Sequence, residues 1–148
     1  MSWAVEEYSE DAVLAYLNSK LQTGLLKPYV AWTNEDRKYP CFVVHCGETD
    51  NVTDEFTGHR QAAIDVAVMS QAVASGGVSA RNRNRVFRDA VITALAQTKL
   101  YNDINALAPT GVVFSKARIG RITRAVETDQ RVFVSEITII STVSPKEV

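Results

Sequence analysis

Apolar residues recur every three to four positions in two stretches of the chain, which is the spacing of amphipathic helices. The first stretch follows Ser9 and ends near Thr23, and the second follows Ser79 and covers about residues 80–98. Serine often caps helix N-termini, so each serine is predicted to precede a first turn. Each stretch carries one apolar stripe, which predicts that each helix packs a single face against the rest of the protein.

Other stretches carry apolar runs or an alternation of apolar and polar residues, which is typical of β-strands. These predicted strands cover residues 39–47, 59–71, 112–126 with a bend at Gly120, and 131–143, with a possible short edge strand at 28–32. The order is α-β-β-α-β-β in a single domain, residues 1–148. It predicts an α+β fold in which a mostly antiparallel, four- to five-stranded sheet has two main helices packed on one face.

The last predicted strand is apolar on both sides. Ile137 and Ile139 lie on one face, and Val134 and Ile140 lie on the other. Because two helices cover about one face of such a sheet, we expect another subunit or a partner protein to cover part of the second face. The alternative is a short peripheral segment of the same chain.

The segment 48–58 is polar and acidic and is too long for a tight hairpin. It predicts a projecting loop with one aromatic side chain at its end. The candidate contact residues in this loop are Asp50, Asp54, Glu55 and Phe56.

Charge is distributed unevenly along the chain. The formal net charge is −1, from 16 Lys+Arg and 17 Asp+Glu, but residues 1–55 carry net −6 and residues 56–148 carry net +5. This pattern is compatible with a nucleic-acid face, with head-to-tail self-association, or with charges that simply mix in space.

The first turns of the second predicted helix hold four cations, Arg81, Arg83, Arg85 and Arg88. Cations near a helix N-terminus oppose the helix dipole at a cost of a few tenths of a kcal/mol each. A role outside the helix, at a subunit interface or a channel wall, would explain them. The alternative is a solvated helix face.

The sequence carries none of the common catalytic or phosphate-binding motifs, such as G-x-S-x-G, G-x-x-x-x-G-K-[ST] or H-E-x-x-H. In an extended strand Cys41 and His45 would lie roughly 13 Å apart, and Cys46 would point to the opposite face. A metal site at these residues and His59 is therefore not expected, and neither is a Cys41–Cys46 disulfide. We expect no catalytic, metal or cofactor site.

The order of these elements resembles a known family. An acidic amphipathic helix precedes the strand PCFVVHCG, a long loop and the strand RQAAIDVAVMS, and a small-residue turn then leads to the helix ARNRNRVFRDAVITAL and the hairpin ARIGRITRAVETDQRVFVSEITIIST. Over nearly the whole chain this pattern looks like the tail terminator (tail-completion or neck) proteins of tailed bacteriophages. The likeness is one of pattern, size and composition rather than of a signature motif.

The resemblance implies a structural virion protein of the tail or neck, assembled in the host cytoplasm, with no catalysed reaction and no membrane. Six copies would form a ring on the head-proximal end of the tail tube, stop tube growth and join tail to head. The implied partners are other copies of the chain, the tail tube protein, the sheath where the tail has one, and a head-tail connector protein. Genomic DNA would pass through the channel without sequence-specific binding.

Three alternatives remain at the level of sequence. A head-closure or other connector protein would share the ring but not the position. A nucleic-acid-binding module would use the arginine-rich helix together with Lys116, Arg118, Arg121 and Arg124. An enzyme would depend on His45 or His59.

Overall fold

One mixed sheet of six strands forms the centre of the protein. A computed structural model describes residues 5–31, 36–51, 59–72, 79–107, 111–128 and 131–145. The strands are β1 (Lys27–Val30), β2 (Cys41–Asn51), β3 (Arg60–Gln71), β4 (Val112–Ile122), β5 (Val126–Glu127) and β6 (Val132–Pro145). The sheet order is β1-β2-β3-β6-β4, and the short β5 also pairs with β6. The β1/β2 pair is parallel and the other pairs are antiparallel.

Three helices pack on the sheet, namely α1 (Val5–Lys20), α2 (Ala80–Leu95) and α3 (Leu100–Asn105). Apolar side chains of all three helices share one buried cluster with alternate residues of the central strands, including Ile64 and Val66 of β3 and Ile137 and Ile139 of β6. Alternate strand residues point to the same face of a sheet, so the helices cover that face. The α+β class is confirmed, but the sheet is larger and less uniformly antiparallel than the predicted four or five strands.

The start of α1 differs from the prediction. The helix begins at Val5, and Ser9, the predicted cap, is fully buried within it. Val5 is itself fully buried in the main cluster, so the first turn is held by packing on the sheet. Packing of this kind depends on tertiary contacts and outweighs a local capping preference.

The second predicted helix ends earlier than predicted. Its predicted cap is confirmed, because the Ser79 side chain accepts a hydrogen bond from the backbone N–H of Asn82 at 3.2 Å. The helix ends at Leu95 rather than near residue 98, and a short helix that was not predicted, α3, follows at Leu100–Asn105. The fully buried Leu100 and Ile104 anchor α3 in the main cluster.

The first four residues of the predicted loop, 48–51, belong to β2, which continues to Asn51. Its register shifts between Cys46 and Thr49, and the strand then pairs again with β3. Asp50 therefore lies in β2, opposite Gln61, and not in a projecting loop. Asp54, Glu55 and Phe56 lie outside the described residues.

The C-terminal hairpin is confirmed, with different ends. β4 stops at Ile122, four residues before the predicted end, and the register shift between Ile119 and Arg121 coincides with the predicted bend at Gly120. A Cβ atom at Gly120 would collide with Cγ1 of Ile140, so any other residue there would force the Ile140 side chain to move. β6 extends to Pro145.

The second face of the sheet is covered at one end by the chain itself. Tyr29, Cys41 and Val43 form a small buried cluster, against which Tyr39 packs, and the Tyr29 hydroxyl accepts from the backbone N–H of Lys38 at 3.0 Å. On β3 and β6 this face also carries polar groups, such as the Thr138 hydroxyl, which donates to Asp65 at 2.6 Å. A large bare apolar face, expected from the sequence, is therefore not found on these described strands, and the alternative of a covering segment holds in part.

One buried side chain fixes α2 on the sheet. The amide nitrogen of Asn84 lies 3.2 Å from the Val68 carbonyl, 3.0 Å from Ser70 Oγ and 3.1 Å from the Phe133 carbonyl. Its amide oxygen accepts from the Ser135 hydroxyl at 2.9 Å. Because Asn84 is fully buried and bonded to both β3 and β6, it sets the position of α2 along the two central strands.

We predict that Asn84→Ala lowers the free energy of unfolding by about 3 kcal/mol, because it leaves buried partners on β3 and β6 unsatisfied. Urea unfolding followed by far-UV circular dichroism measures the change. The matched control is Asn82→Ala, on the exposed side of the same helix, with an expected change within about 0.5 kcal/mol. Equal effects of the two variants would contradict this role of Asn84.

Candidate functional site

Three of the four predicted arginines meet in one cavity. Arg81, Arg85 and Arg88 lie four and three residues apart, so they share one face of α2. Arg124 reaches the same place from the segment between β4 and β5. The cavity is open to solvent and has a volume of about 400 Å³. We call it the arginine cavity; its lining residues are Arg81, Asn82, Arg85, Arg88, Arg124 and Ala125.

The segment that carries Arg124 is held in place by β6. The backbone N–H of Thr123 donates to the Glu136 carbonyl at 2.8 Å, and the Glu136 N–H donates to the Thr123 hydroxyl at 2.8 Å. The Thr123 carbonyl in turn accepts from the Arg88 guanidinium at 3.4 Å. The two sides of the cavity are thus joined by a direct contact.

Arg83 does not join this cluster. Two residues along a helix correspond to a rotation of about 200°, so its side chain leaves on another side of α2. There its guanidinium carbon lies 5.7 Å from the centre of the Phe87 ring, within cation–π range. The predicted set of four arginines therefore divides into three that line the cavity and one that covers a core aromatic residue.

The positive charge of the arginine cavity is poorly neutralised. Asp89 lies 3.4 Å from the Arg88 guanidinium, and no other carboxylate of the described chain lies within 4.0 Å of a cavity arginine. The first turn of α2 holds no acidic residue, so the positive end of the helix dipole adds to the arginine charges. Such a surface favours an anionic partner.

A second, acidic cavity lies on α1. Its volume is about 320 Å³, and we call it the glutamate cavity; its lining residues are Glu6, Glu7, Glu10, Ala31, His45 and Cys46. Glu6 accepts a hydrogen bond from the Thr49 hydroxyl at 3.1 Å. Glu10 accepts from the backbone N–H of Cys46, and its carboxylate lies 3.9 Å from Nδ1 of His45. These contacts fix the acidic helix against β2.

Burial shifts the pKa values of two groups in the glutamate cavity. It raises the pKa of Glu10 above its ordinary value, an effect that the Cys46 N–H and His45 oppose. Burial also raises the pKa of the Cys46 thiol to about 12, with Glu10 and Glu6 adding to the effect. The Cys46 thiol therefore stays protonated at neutral pH and is a poor nucleophile.

The two charged cavities lie apart in the fold. Glu6 is hydrogen-bonded to Thr49, which pairs with Ala62 near the start of β3, whereas Asn84 anchors α2 at Ser70 near the end of β3. These two anchoring positions are eight residues, or about 26 Å, apart along the strand. The cavities also lie on opposite sides of β3, because the glutamate cavity includes β2 residues and Arg124 is held by β6. In the described chain no α1 carboxylate lies within 4.0 Å of a cavity arginine.

The remaining sequence candidates lie apart from each other. Of the four basic residues in the nucleic-acid alternative, Arg124 lines the arginine cavity, while Lys116 and Arg118 line a separate cavity of about 470 Å³. His45 lies beside Glu10, and Cys41 and Cys46 are buried free cysteines. Among the residues the structure describes, no group of three His, Cys, Asp or Glu side chains is arranged to hold a metal ion. No helix in that part of the chain is long and apolar enough to span a membrane.

The sequence did not predict the glutamate cavity or the position of Arg124 beside α2. The spacing of Glu6 and Glu10, four residues apart, was a signal that both lie on one helix face once the helix starts at Val5. Nothing local indicated Arg124, because its position depends on the pairing of distant segments with β6.

We predict that Glu10→Gln changes the pH dependence of stability. In the wild type a raised folded pKa means that stability is fully present below the ordinary pKa of 4.5 and declines as pH rises through the folded value. The stability of the variant relative to the wild type should therefore grow over this window and then level off. Urea unfolding at several pH values measures it, and a difference that does not change with pH would contradict the assignment.

A second experiment on the same pH dependence uses His45→Gln, again measured by urea unfolding at several pH values. His45 lowers the pKa of Glu10, so removing it should move the folded pKa upward and extend the decline in stability to higher pH. In the Glu10→Gln background the same histidine substitution should not produce that extension.

No protein-family model matches the chain, and no curated protein matches it significantly. The function therefore has to follow from the residues and their geometry.

Proposed function

We propose that the protein is a structural virion protein that forms a ring on the head-proximal end of a phage tail tube. In this role it ends tube growth and joins the tail to the head. Its partners are other copies of itself, the tail tube protein, the sheath where the tail has one, and a head-tail connector protein. Genomic DNA passes through the axial channel without sequence-specific recognition.

The observation that carries the proposal is the separation of opposite charges on one small domain. Four arginines line one cavity and three glutamates line another, on opposite sides of β3. Two complementary surfaces that cannot meet within one chain favour contacts between copies. A heterologous contact of this kind closes into a ring when the rotation between neighbours divides a full turn.

The order of elements supports the same role. An acidic first helix, a long segment between two paired strands, an arginine-rich helix and a closing hairpin resemble the pattern of tail terminator proteins. In a ring, one edge meets the tube and the other meets the connector, so each copy needs several distinct contact surfaces. The residues 54–56 stay a prediction for contact with the tube or a neighbouring ring.

A nucleic-acid-binding module is the second candidate, because the arginine cavity also suits phosphate groups. Binding of this kind weakens steeply with salt, with a logarithmic slope near −0.9 per phosphate neutralised on duplex DNA. The net charge of −1 and the separate location of Lys116 and Arg118 make a continuous basic track less favourable.

We predict that the purified protein, mixed with tail tubes of the same phage, places a ring at the head-proximal tip. Negative-stain electron microscopy of the mixture, with and without the protein, tests this directly. Native mass spectrometry should give a closed oligomer of one size at high protein concentration or in the presence of tubes. A strictly monomeric protein that never binds tube ends would contradict the proposal.

The position of the ring separates the terminator role from the related connector roles. A ring that binds isolated heads but not tail tips would favour a head-closure protein. Lengthening of tubes assembled without the protein, reversed when it is added back, would support termination of growth.

A further inference from the structure

We propose that the arginine cavity of one copy binds the glutamate-bearing surface of α1 on the next copy, as the head-to-tail contact of the assembly. This inference rests on the proposed ring and names the residues that join its subunits. The occupant of the arginine cavity is thus a second copy of this chain rather than a nucleic acid.

Charge complementarity favours this occupant. Counting Asp89, the arginine cavity carries three net positive charges, and Glu6, Glu7 and Asp11 at the surface of α1 supply up to three negative ones, while Glu10 is buried behind them. Asp11, four residues after Glu7, extends the acidic surface along the exposed side of α1. Arginine guanidinium groups pair with carboxylates through two parallel hydrogen bonds, which gives such a contact a defined geometry.

Apolar residues beside the arginine cavity fit a protein partner better than a phosphate chain. Ile122 and Val126 flank Arg124 and Ala125 in sequence and are 44% and 63% exposed. Exposed apolar side chains around charged groups are typical of protein interfaces, where they are buried on association. A nucleic-acid site without base recognition would gain little from aliphatic residues.

The contact must be made between copies. In the described chain the glutamate cavity lies on the β2 side of β3 and Arg124 lies on the β6 side, and no α1 carboxylate lies within 4.0 Å of a cavity arginine. The hydrogen bonds of Thr49 and Asn84 hold α1 and α2 in these positions. Neutralising the arginines with α1 carboxylates therefore requires a second chain.

The test compares two single reversals on the same helix. Arg85→Glu alters the arginine cavity, whereas Arg83→Glu makes the same charge change two residues away and outside it. Self-association is measured by sedimentation equilibrium over a concentration series. Arg85→Glu should weaken association at least about tenfold, and Arg83→Glu should change it less than about twofold. Equal effects of the two reversals would overturn the proposal.

Charge-swap complementation tests the pairing itself. The variants Arg81→Glu/Arg85→Glu and Glu7→Lys/Asp11→Lys should each fail to associate alone, because like charges then face each other at every contact. Mixed together they should assemble with alternating subunits, and native mass spectrometry should detect both chains in equal numbers. Retained circular dichroism spectra exclude misfolding, since all four residues are exposed. Failure of the mixture to assemble would overturn the proposed pairing.

Other outcomes separate this inference from the proposed function. If all the reversal variants still form rings of the wild-type size, the proposed contact is wrong but the proposed ring is still supported. A complemented dimer or an open filament would support the contact and contradict the closed ring on the tube. A third outcome would overturn the inference in favour of a nucleic-acid site. In that outcome the wild type binds a 20-base-pair DNA duplex with an affinity that depends steeply on salt, and Arg85→Glu loses DNA binding while its self-association is unchanged.

Discussion

The buried amide of Asn84 controls the geometry on which the charged surfaces depend. It bonds to β3 through Val68 and Ser70 and to β6 through Phe133 and Ser135, so α2 has one position on the sheet. Arg81 lies about one turn before Asn84, Arg85 directly follows it, and Arg88 lies about one turn after it. The position of Asn84 on the sheet therefore determines where these arginine side chains lie. A purely apolar contact would allow the helix to shift along the sheet, whereas a saturated buried amide allows one register.

The fold keeps opposite charges apart at some cost to the single chain. The arginines of α2 repel one another beside the positive end of the helix dipole, and burial makes ionisation of Glu10 unfavourable. Pairing of the arginines with the glutamates within one chain would relieve both costs, but the fold holds the two groups on opposite sides of β3. A charged surface that is unfavourable in the monomer is stabilised when an oppositely charged partner covers it. Such binding also stabilises the folded chain by mass action.

Much of this architecture follows from local signals, and the rest depends on long-range contacts. The Ser79 cap, the alternation along β3 and the glycine bend in β4 are properties of short segments, and each is confirmed. The early start of α1 depends on Val5 reaching the core, and α3 depends on Leu100 and Ile104 doing the same. The parallel pairing of β1 and the position of Arg124 join segments far apart in sequence, so periodicity carried no information about them. The residues at 54–56 lie outside the described structure.

Net charge determines how strongly identical copies repel one another in an assembly. A ring built by like-charged subunits accumulates repulsion with each added copy, which limits its stability at low salt. In the proposed assembly each copy would bring a positive and a negative surface but a formal charge of only −1, so every contact would be attractive while the assembly stayed nearly neutral per subunit. The attraction acts over about a Debye length, roughly 8 to 10 Å at physiological salt, so it acts between adjacent copies and not across a wide channel. Opposite charges on a nearly neutral subunit therefore suit an assembly of many identical copies better than a uniformly basic surface would.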